Sequence, residues 1–252
     1  MDAVHPLTAL LAALACGGAG LLVPALIARI PEPSPVPVDE LDPGTGTPPE
    51  AAAEPPAAKE PYAAIAALPG LRWRSAAAGA AAGGLLGGAL GPDWALLVVL
   101  PLVPVSVALA VVDWRTRLLP TRVIAPTYLL TILAVLVAGA AGRDGDDVVR
   151  AFWGWLVAGG LFFLLWFVHP RGLGYGDVRL AGVLGIALGS LGWGPLLVGV
   201  YAGFLLGGLG GGLLSLLRIV ERRAFPFGPF MLVGALVGVL WGEPVLAGLV
   251  GG

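Results

Sequence analysis

Long uninterrupted apolar stretches set the pattern of this chain. Eight of them run roughly over residues 7–28, 76–91, 94–112, 122–141, 148–168, 178–193, 195–217 and 229–250. They lack the period-two alternation of a half-buried strand, and most approach the ~20 residues that cross a hydrocarbon core, so the pattern predicts helices. The second and sixth stretches are short, which predicts tilt or local thinning of a bilayer around them. Met-Asp-Ala-Val-His opens the chain without a basic residue, and Arg29 follows the first stretch. That stretch is therefore expected to be a retained helix and not a cleaved signal peptide. Between the first two stretches the pattern changes in kind. Residues 31–70 are rich in Pro, Ala and Glu and nearly free of large apolar side chains. Such a segment cannot bury enough surface to offset its ordering entropy, which predicts a mostly disordered loop.

Composition narrows the class. Of the 252 residues, 58% are hydrophobic and 12% charged, with a mean hydropathy of +0.91. A soluble domain carries about 25% charged residues, and this chain cannot cover its surface with polar groups in water. Continuously apolar runs also exclude a transmembrane β-barrel, whose strands alternate. The expected fold is all-α: a polytopic membrane helical bundle of about eight transmembrane helices. Residues 1–30 form its first transmembrane helix, 31–74 a cytoplasmic loop, and 75–252 the remainder of the bundle. With the N-terminus outside, every basic residue except Arg143 and Arg150 falls on the cytoplasmic side, which fits the positive-inside rule. Glycine recurs at every fourth position in two stretches, at Gly79, Gly83, Gly87 and Gly91 and at Gly199, Gly203, Gly207 and Gly211. That spacing predicts close backbone approach, within the bundle or across a dimer face, so the oligomeric state stays open.

The chemistry available is limited. A net charge of −2 implies no nucleic-acid partner, and the lipid bilayer is the partner that composition demands. One cysteine, Cys16, and two histidines, His5 and His169, exclude a disulfide framework and a Cys- or His-based metal cluster. Neither a metal nor a cofactor is expected. Most acids lie in loops or tails, but Asp113 ends a long apolar run and Asp177 opens another, both at the expected cytoplasmic boundary. Two close carboxylates cannot both ionise comfortably, and such a pair can share a proton, activate water and protonate a leaving amine. Plainer roles stand beside this one. Asp113 precedes Arg117 by four residues, the spacing of a surface ion pair, and Asp177 sits where it can cap its own helix. Helix dipoles would leave Asp177 ionised at a helix N-terminus and Asp113 protonated at a helix C-terminus. The alternating Gly172, Gly174 and Gly176 before Asp177 argue for an unusual backbone and do not form a dinucleotide fingerprint. Three functions compete on the residues alone: a two-aspartate protease, a cation-coupled transporter, and a catalytically silent membrane component of a pilus or secretion assembly.

The stretch Asp113-Trp-Arg-Thr-Arg-Leu-Leu-Pro120 resembles the first aspartate motif of the type IV prepilin peptidases, and Gly174-Tyr-Gly-Asp-Val-Arg179 resembles their GxGD motif. Pro226, Phe227, Gly228 and Pro229 resemble a further family segment before the last helix. The motifs stand in family order over residues 76–250. Presenilin-type proteases also carry GxGD, but their Tyr-Asp and Pro-Ala-Leu segments are not in the expected places here. The resemblance implies an aspartic endopeptidase of the bacterial inner membrane, with residues 75–252 as its catalytic domain. Its substrates would be prepilin or pseudopilin precursors, cut after a short basic leader on the cytoplasmic side. Asp113 and Asp177 carry over as the catalytic pair. Gly174, Gly176, Pro226, Phe227, Gly228 and Pro229 carry over only as shapers of the site. Bifunctional members hold a cytoplasmic domain, often with zinc-binding cysteines, between their first two helices. That domain is tied to N-methylation of the product. Residues 31–74 occupy its place without a cysteine, so methyl transfer rests here on the family alone.

Overall fold

The computed structural model describes residues 5–32, 60–142, 145–170, 173–216 and 226–251, with the side chains of 211–216 left aside. Most of the expected 31–74 loop (residues 33–59), along with Arg143, Arg171, Gly172 and the basic group Arg218, Arg222 and Arg223, lies outside the described residues. Among the described residues every regular element is helical. In chain order they are α1 (Pro6–Gly20), α2 (Val23–Ala28), α3 (Tyr62–Ala66), α4 (Leu71–Leu90), α5 (Leu96–Thr116), α6 (Thr121–Gly142), α7 (Gly145–Gly154), a π-helical turn (Trp155–Gly159), α8 (Gly160–Val168), α9 (Tyr175–Leu191), α10 (Trp193–Leu216) and α11 (Gly228–Val250).

All eight apolar stretches lie on these helices, and the fold is an all-α polytopic membrane bundle. By length and composition, six segments among the described residues can cross a membrane: Pro6–Ala28, Leu96–Thr116, Thr121–Gly142, Gly145–Val168, Trp193–Gly210 and Gly228–Val250. Large apolar side chains such as Leu129, Leu133, Phe163, Leu164 and Leu209 stand exposed along them. In water that would be a liability, and in lipid it is the ordinary outer face. The two remaining stretches differ for physical reasons. The Gly- and Ala-rich α4 has too little apolar bulk. With 17 residues, α9 is only about 26 Å long, and it lies inside the bundle, buried along most of its length from Asp177 to Ser190.

Glycine brings the helices together. In α4, Gly79, Gly83 and Gly87 lie against the backbone of antiparallel α1. A Cβ at those positions would stand 2.5 Å from the Cys16 carbonyl oxygen, 2.6 Å from that of Ala12 and 2.6 Å from that of Thr8, respectively. Gly199 and Gly203 of α10 approach Gly234 and Met231 of α11 in the same way. These ridges therefore serve packing within the chain. Pro104 interrupts the hydrogen-bond ladder of α5 and releases the Leu100 carbonyl. The Cys16 Sγ–H donates to that oxygen at 3.7 Å, tying α1 to α5.

Within the 31–74 stretch expected to be loop, the last residues are structured. Tyr62 and Ile65 of α3 pack on Val23 and Ile27 of α2, and α4 begins at Leu71. Tyr62 and Ile65 in α3, Leu68 after it and Leu71 at the start of α4 recur at three-residue spacing, an apolar pattern that the Pro- and Glu-rich composition upstream hides.

Gly83→Ala would press its new methyl onto the Ala12 carbonyl and the Cys16 side chain at 2.6 Å, and is expected to cost about 1–3 kcal/mol by overpacking. Gly18 faces open space, so Gly18→Ala is expected to be neutral or to stabilise α1 by about 0.5–1 kcal/mol. Thermal unfolding in detergent checks both, and equal melting of the two variants would contradict the packing assigned to α1 and α4.

Candidate active site

Asp113 occupies the last turn of α5 and is 4% exposed. The helix ends because Arg117 takes a left-handed conformation (φ 56°) while its N–H donates to the Asp113 carbonyl at 2.8 Å. The chain then reverses through Leu118, Leu119 and Pro120 into α6. The reversal points Asp113 into the bundle, where its Oδ2 accepts the Gly228 N–H at 2.9 Å. Gly228 is the first residue of α11, followed by Pro229, which has no N–H to lose. The glycine is required by space, since a Cβ there would lie 2.8 Å from the same Asp113 oxygen. Pro226 is buried, and the Phe227 ring packs with Phe162 and Phe204 at centroid distances of 6.1 and 5.6 Å. That aromatic cluster seats the start of α11 beneath Asp113.

Asp177 is the third residue of α9 and is 8% exposed. Gly174 precedes the helix in extended conformation. Its carbonyl accepts the Asp177 N–H at 3.0 Å, and its own N–H donates to Asp177 Oδ2, also at 3.0 Å. Asp177 thus caps its helix, as one of the plainer roles anticipated. Leu119 borders both Gly176 and Gly228, so the start of α9 also lies near the Asp113 carboxylate, and capping and proximity coexist. The Asp113–Arg117 ion pair does not form: the carboxylate partner of Asp113 is an amide 115 residues away.

Leu119 joins the two halves. A Cβ on Gly176 would stand 2.8 Å from the Leu119 Cβ, and one on Gly228 would stand 3.4 Å from its Cδ2. Gly176 and Gly228 are therefore close-approach positions on either side of one side chain. Gly174 differs, because a Cβ there would meet only Asp177 Oδ2, at 3.1 Å. Both carboxylates engage a backbone amide through Oδ2, and among the described residues neither Oδ1 takes a protein donor. Two acidic oxygens near one end of a closed apolar bundle can hold a water molecule and exchange protons with it.

Arg115 and Arg179, the basic neighbours of the two aspartates in sequence, have partners that the sequence did not reveal. Arg115 makes a two-pronged ion pair with Glu60, Nε to Oε2 at 2.6 Å and Nη2 to Oε1 at 2.7 Å. The guanidinium holds the Glu60 carboxyl below the usual carboxylate range. The pair ties the segment before α3 to the end of α5, two residues from Asp113. Arg179 lies over the Tyr175 ring at 4.5 Å and donates to the Thr121 hydroxyl at the start of α6. Leu119 and Arg179 lay inside stretches already singled out. Glu60 carried no signal, since nothing local distinguishes it from the other acids of its segment.

The type IV leader peptidase family matches this chain over residues 100–216. A prepilin leader peptidase/N-methyltransferase of Aeromonas hydrophila is 31% identical over 158 residues, which are 62% of this chain and 53% of that protein. One of Pseudomonas putida is 34% identical over 155 residues, covering 60% of this chain and 52% of that protein. The leader peptidase HopD of Escherichia coli is 32% identical over 148 residues, 57% of this chain and 90% of that protein. The chain spans about half the length of the Aeromonas and Pseudomonas relatives, and no solved structure matches it. The matched region contains both aspartates and the whole of α9, and HopD is covered almost end to end: the chain belongs to the type IV leader peptidase family.

Proposed function

We propose that this chain is a membrane aspartic endopeptidase that removes the leader from prepilin-like or pseudopilin-like precursors, with Asp113 and Asp177 as its catalytic pair. One observation carries the proposal: two buried carboxylates from separate helices meet at one end of the bundle, each with one oxygen held by a backbone amide. The relatives support the substrate class, since those of Aeromonas hydrophila and Pseudomonas putida are named prepilin leader peptidases and that of Escherichia coli a leader peptidase.

The chemistry follows from the pair. One aspartate in its carboxylate form takes a proton from a water molecule, and the resulting hydroxide attacks the scissile carbonyl carbon. The other, in its acid form, hydrogen-bonds the carbonyl oxygen as charge develops there. The C–N bond then breaks, and the amine leaves with a proton from the pair. Roles within the pair are less separated than helix ends alone suggest. Asp177 sits at the N-terminus of α9, but Asp113, at the C-terminal end of α5, accepts its hydrogen bond from the first N–H of α11. Each carboxylate is therefore placed against a helix N-terminus.

Arg115, Arg117, Arg122 and Arg179 lie near the same end of the bundle as the two aspartates, which supports a cytoplasmic-facing site in the inner membrane. The proposal assigns peptide-bond cleavage alone. Methyl transfer appears in the names of the longer relatives, and residues 31–74 hold no cysteine.

The test is co-expression with a tagged prepilin in a peptidase-null host. Wild type is expected to shorten the substrate, and Asp113→Ala and Asp177→Ala each to lower turnover by about a thousandfold or more, with all three proteins inserted equally. Intact mass of the product N-terminus is expected to show no added methyl group. Uncut substrate with well-inserted wild type would return the silent assembly role to the front. In the same assay Gly228→Ala, which drives a methyl against Asp113 Oδ2, is expected to slow cleavage by roughly ten- to a hundredfold through misplacement of the carboxylate. Gly208→Ala, with no neighbour within 4 Å, is expected to cleave normally.

A further inference from the structure

We infer that Tyr128 is a positioning residue: its hydroxyl fixes the register of α9 against α6, and through that register the placement of Asp177 relative to Asp113. The activity arm of this inference rests on the peptidase function proposed above.

The hydroxyl of Tyr128, in the second turn of α6, donates to the backbone carbonyl of Arg179 at 2.9 Å. Arg179 follows Asp177 by two residues in α9. The bond reaches an atom of the helix backbone itself, so it responds to sliding or rotation of α9 and not merely to a side-chain rotamer. The Trp155 indole lies beside the same hydroxyl, both of them over Gly182. Trp155 opens the π-helical turn Trp155–Gly159, where one extra residue in the turn re-aims the side chains that follow from a regular helix. The hydroxyl also rests directly over Gly182, where any Cβ would collide with it. Three elements thus converge on one oxygen atom: α6, the π-turn, and α9.

Packing between α6 and α9 is incomplete at this level. A cavity of about 560 Å³ opens between α6 and α7 and reaches α9, with Tyr128, Ile132, Phe152, Trp155 and Ile186 among its lining residues. Further along the same face α9 is pressed onto α7 backbone to backbone. A Cβ on Gly189 would stand 2.7 Å from the Arg150 carbonyl oxygen, and Gly185 meets Gly154. Those glycine contacts set how closely α9 approaches α7, but smooth glycine faces give little resistance to sliding along the axis. The hydroxyl supplies that resistance. The far end of the same linkage is the active site, since α6 follows the Arg117–Pro120 reversal whose Leu119 touches Gly176 and Gly228. A shift of α9 along α6 moves Asp177 past Leu119 while Asp113, held by Gly228, stays in place.

Tyr128→Phe tests this, because it removes one oxygen and no carbon. The full chain is used in detergent in a Cys16→Ala background, with two readouts. In cleavage of a prepilin peptide, Tyr128→Phe is expected to lower kcat about tenfold, the order of effect of a sub-ångström to ångström misplacement, with KM within about twofold. Gly182→Ala, which displaces the hydroxyl, is expected to do the same, and the double variant to be no worse than either alone. The second readout needs no activity. Leu119→Cys with Gly176→Cys places two thiols near disulfide distance, since the Cβ separation is 2.8 Å before relaxation. Tyr128→Phe is expected to slow their oxidative cross-linking severalfold while thermal unfolding stays unchanged. Cross-linking and kcat both at wild-type levels overturn the inference, as does a loss confined to KM. Should wild type cut no prepilin, the peptidase function fails by that result, and the cross-linking rate by itself still decides whether Tyr128 holds the register.

Discussion

A carboxylate inside an apolar bundle must be given hydrogen-bond donors, and that constraint organises the active end of this molecule. A charged group at membrane depth costs several kcal/mol when unpaired. No side-chain cation pairs with Asp113 or Asp177 among the described contacts. Each instead takes a backbone N–H at a helix start, Gly228 for Asp113 and Gly174 for Asp177. An amide of this kind is a donor without a net charge. It steadies a carboxylate without cancelling it, so the oxygen keeps its capacity to take and return a proton. A guanidinium in the same place would hold the carboxylate permanently ionised. Two of the arginines near this end are engaged elsewhere: Arg115 with Glu60, and Arg179 with Thr121 and the Tyr175 ring.

Backbone donors require backbones at short range, and that explains where glycine is indispensable. Gly228 and Gly176 admit close neighbours that a methyl would exclude, and both border Leu119. The left-handed Arg117 does complementary work. By ending α5 one residue after Thr116 it turns Leu119 back between the two aspartate-bearing elements. Site geometry is therefore a property of three chain ends: the close of α5, the start of α9 and the start of α11. The long glycine ridges between α1 and α4 and between α10 and α11 fix the walls from which those ends emerge.

Much of this was legible in the sequence because the signals were strong and local. Continuous apolar runs marked the helices. Asp113 and Asp177 stood out because a carboxylate bordering such a run needs a reason to be there. Gly174 and Gly176 were visible as alternating glycines that a regular helix would not favour. What could not be read was long-range. The Asp113–Gly228 bond joins residues 115 apart, and no periodicity announces it. The dipole argument for two unlike aspartates failed to include α11 for that reason. The α3 helix was hidden by averaging: its apolar Tyr62 and Ile65 are followed by Leu68 and Leu71 at the same spacing, but the Pro- and Glu-rich residues before them dominated the composition. Tyr128 was least visible, a single hydroxyl on an apolar helix, where the ordinary expectation is a ring serving as packing.

The placement of one aspartate on α9 has a mechanical logic. Helices that span a bilayer have their depth set by interfacial anchors and by the length of their apolar stretch. With 17 residues buried along most of their length, α9 has little contact with lipid, and its Arg179 is engaged with the Tyr175 ring and with Thr121 of α6. Its depth is inherited from its neighbours, and a fluctuation in the membrane reaches it only through them. A carboxylate carried there is insulated from bilayer thickness and tilt, whereas Asp113, at the end of a 21-residue span, is tied to the membrane boundary and needs the reach of α11 to hold it. The pair thus joins a helix set by the bilayer to a helix set by the protein. The precision of the site depends on the few polar contacts that lock one to the other.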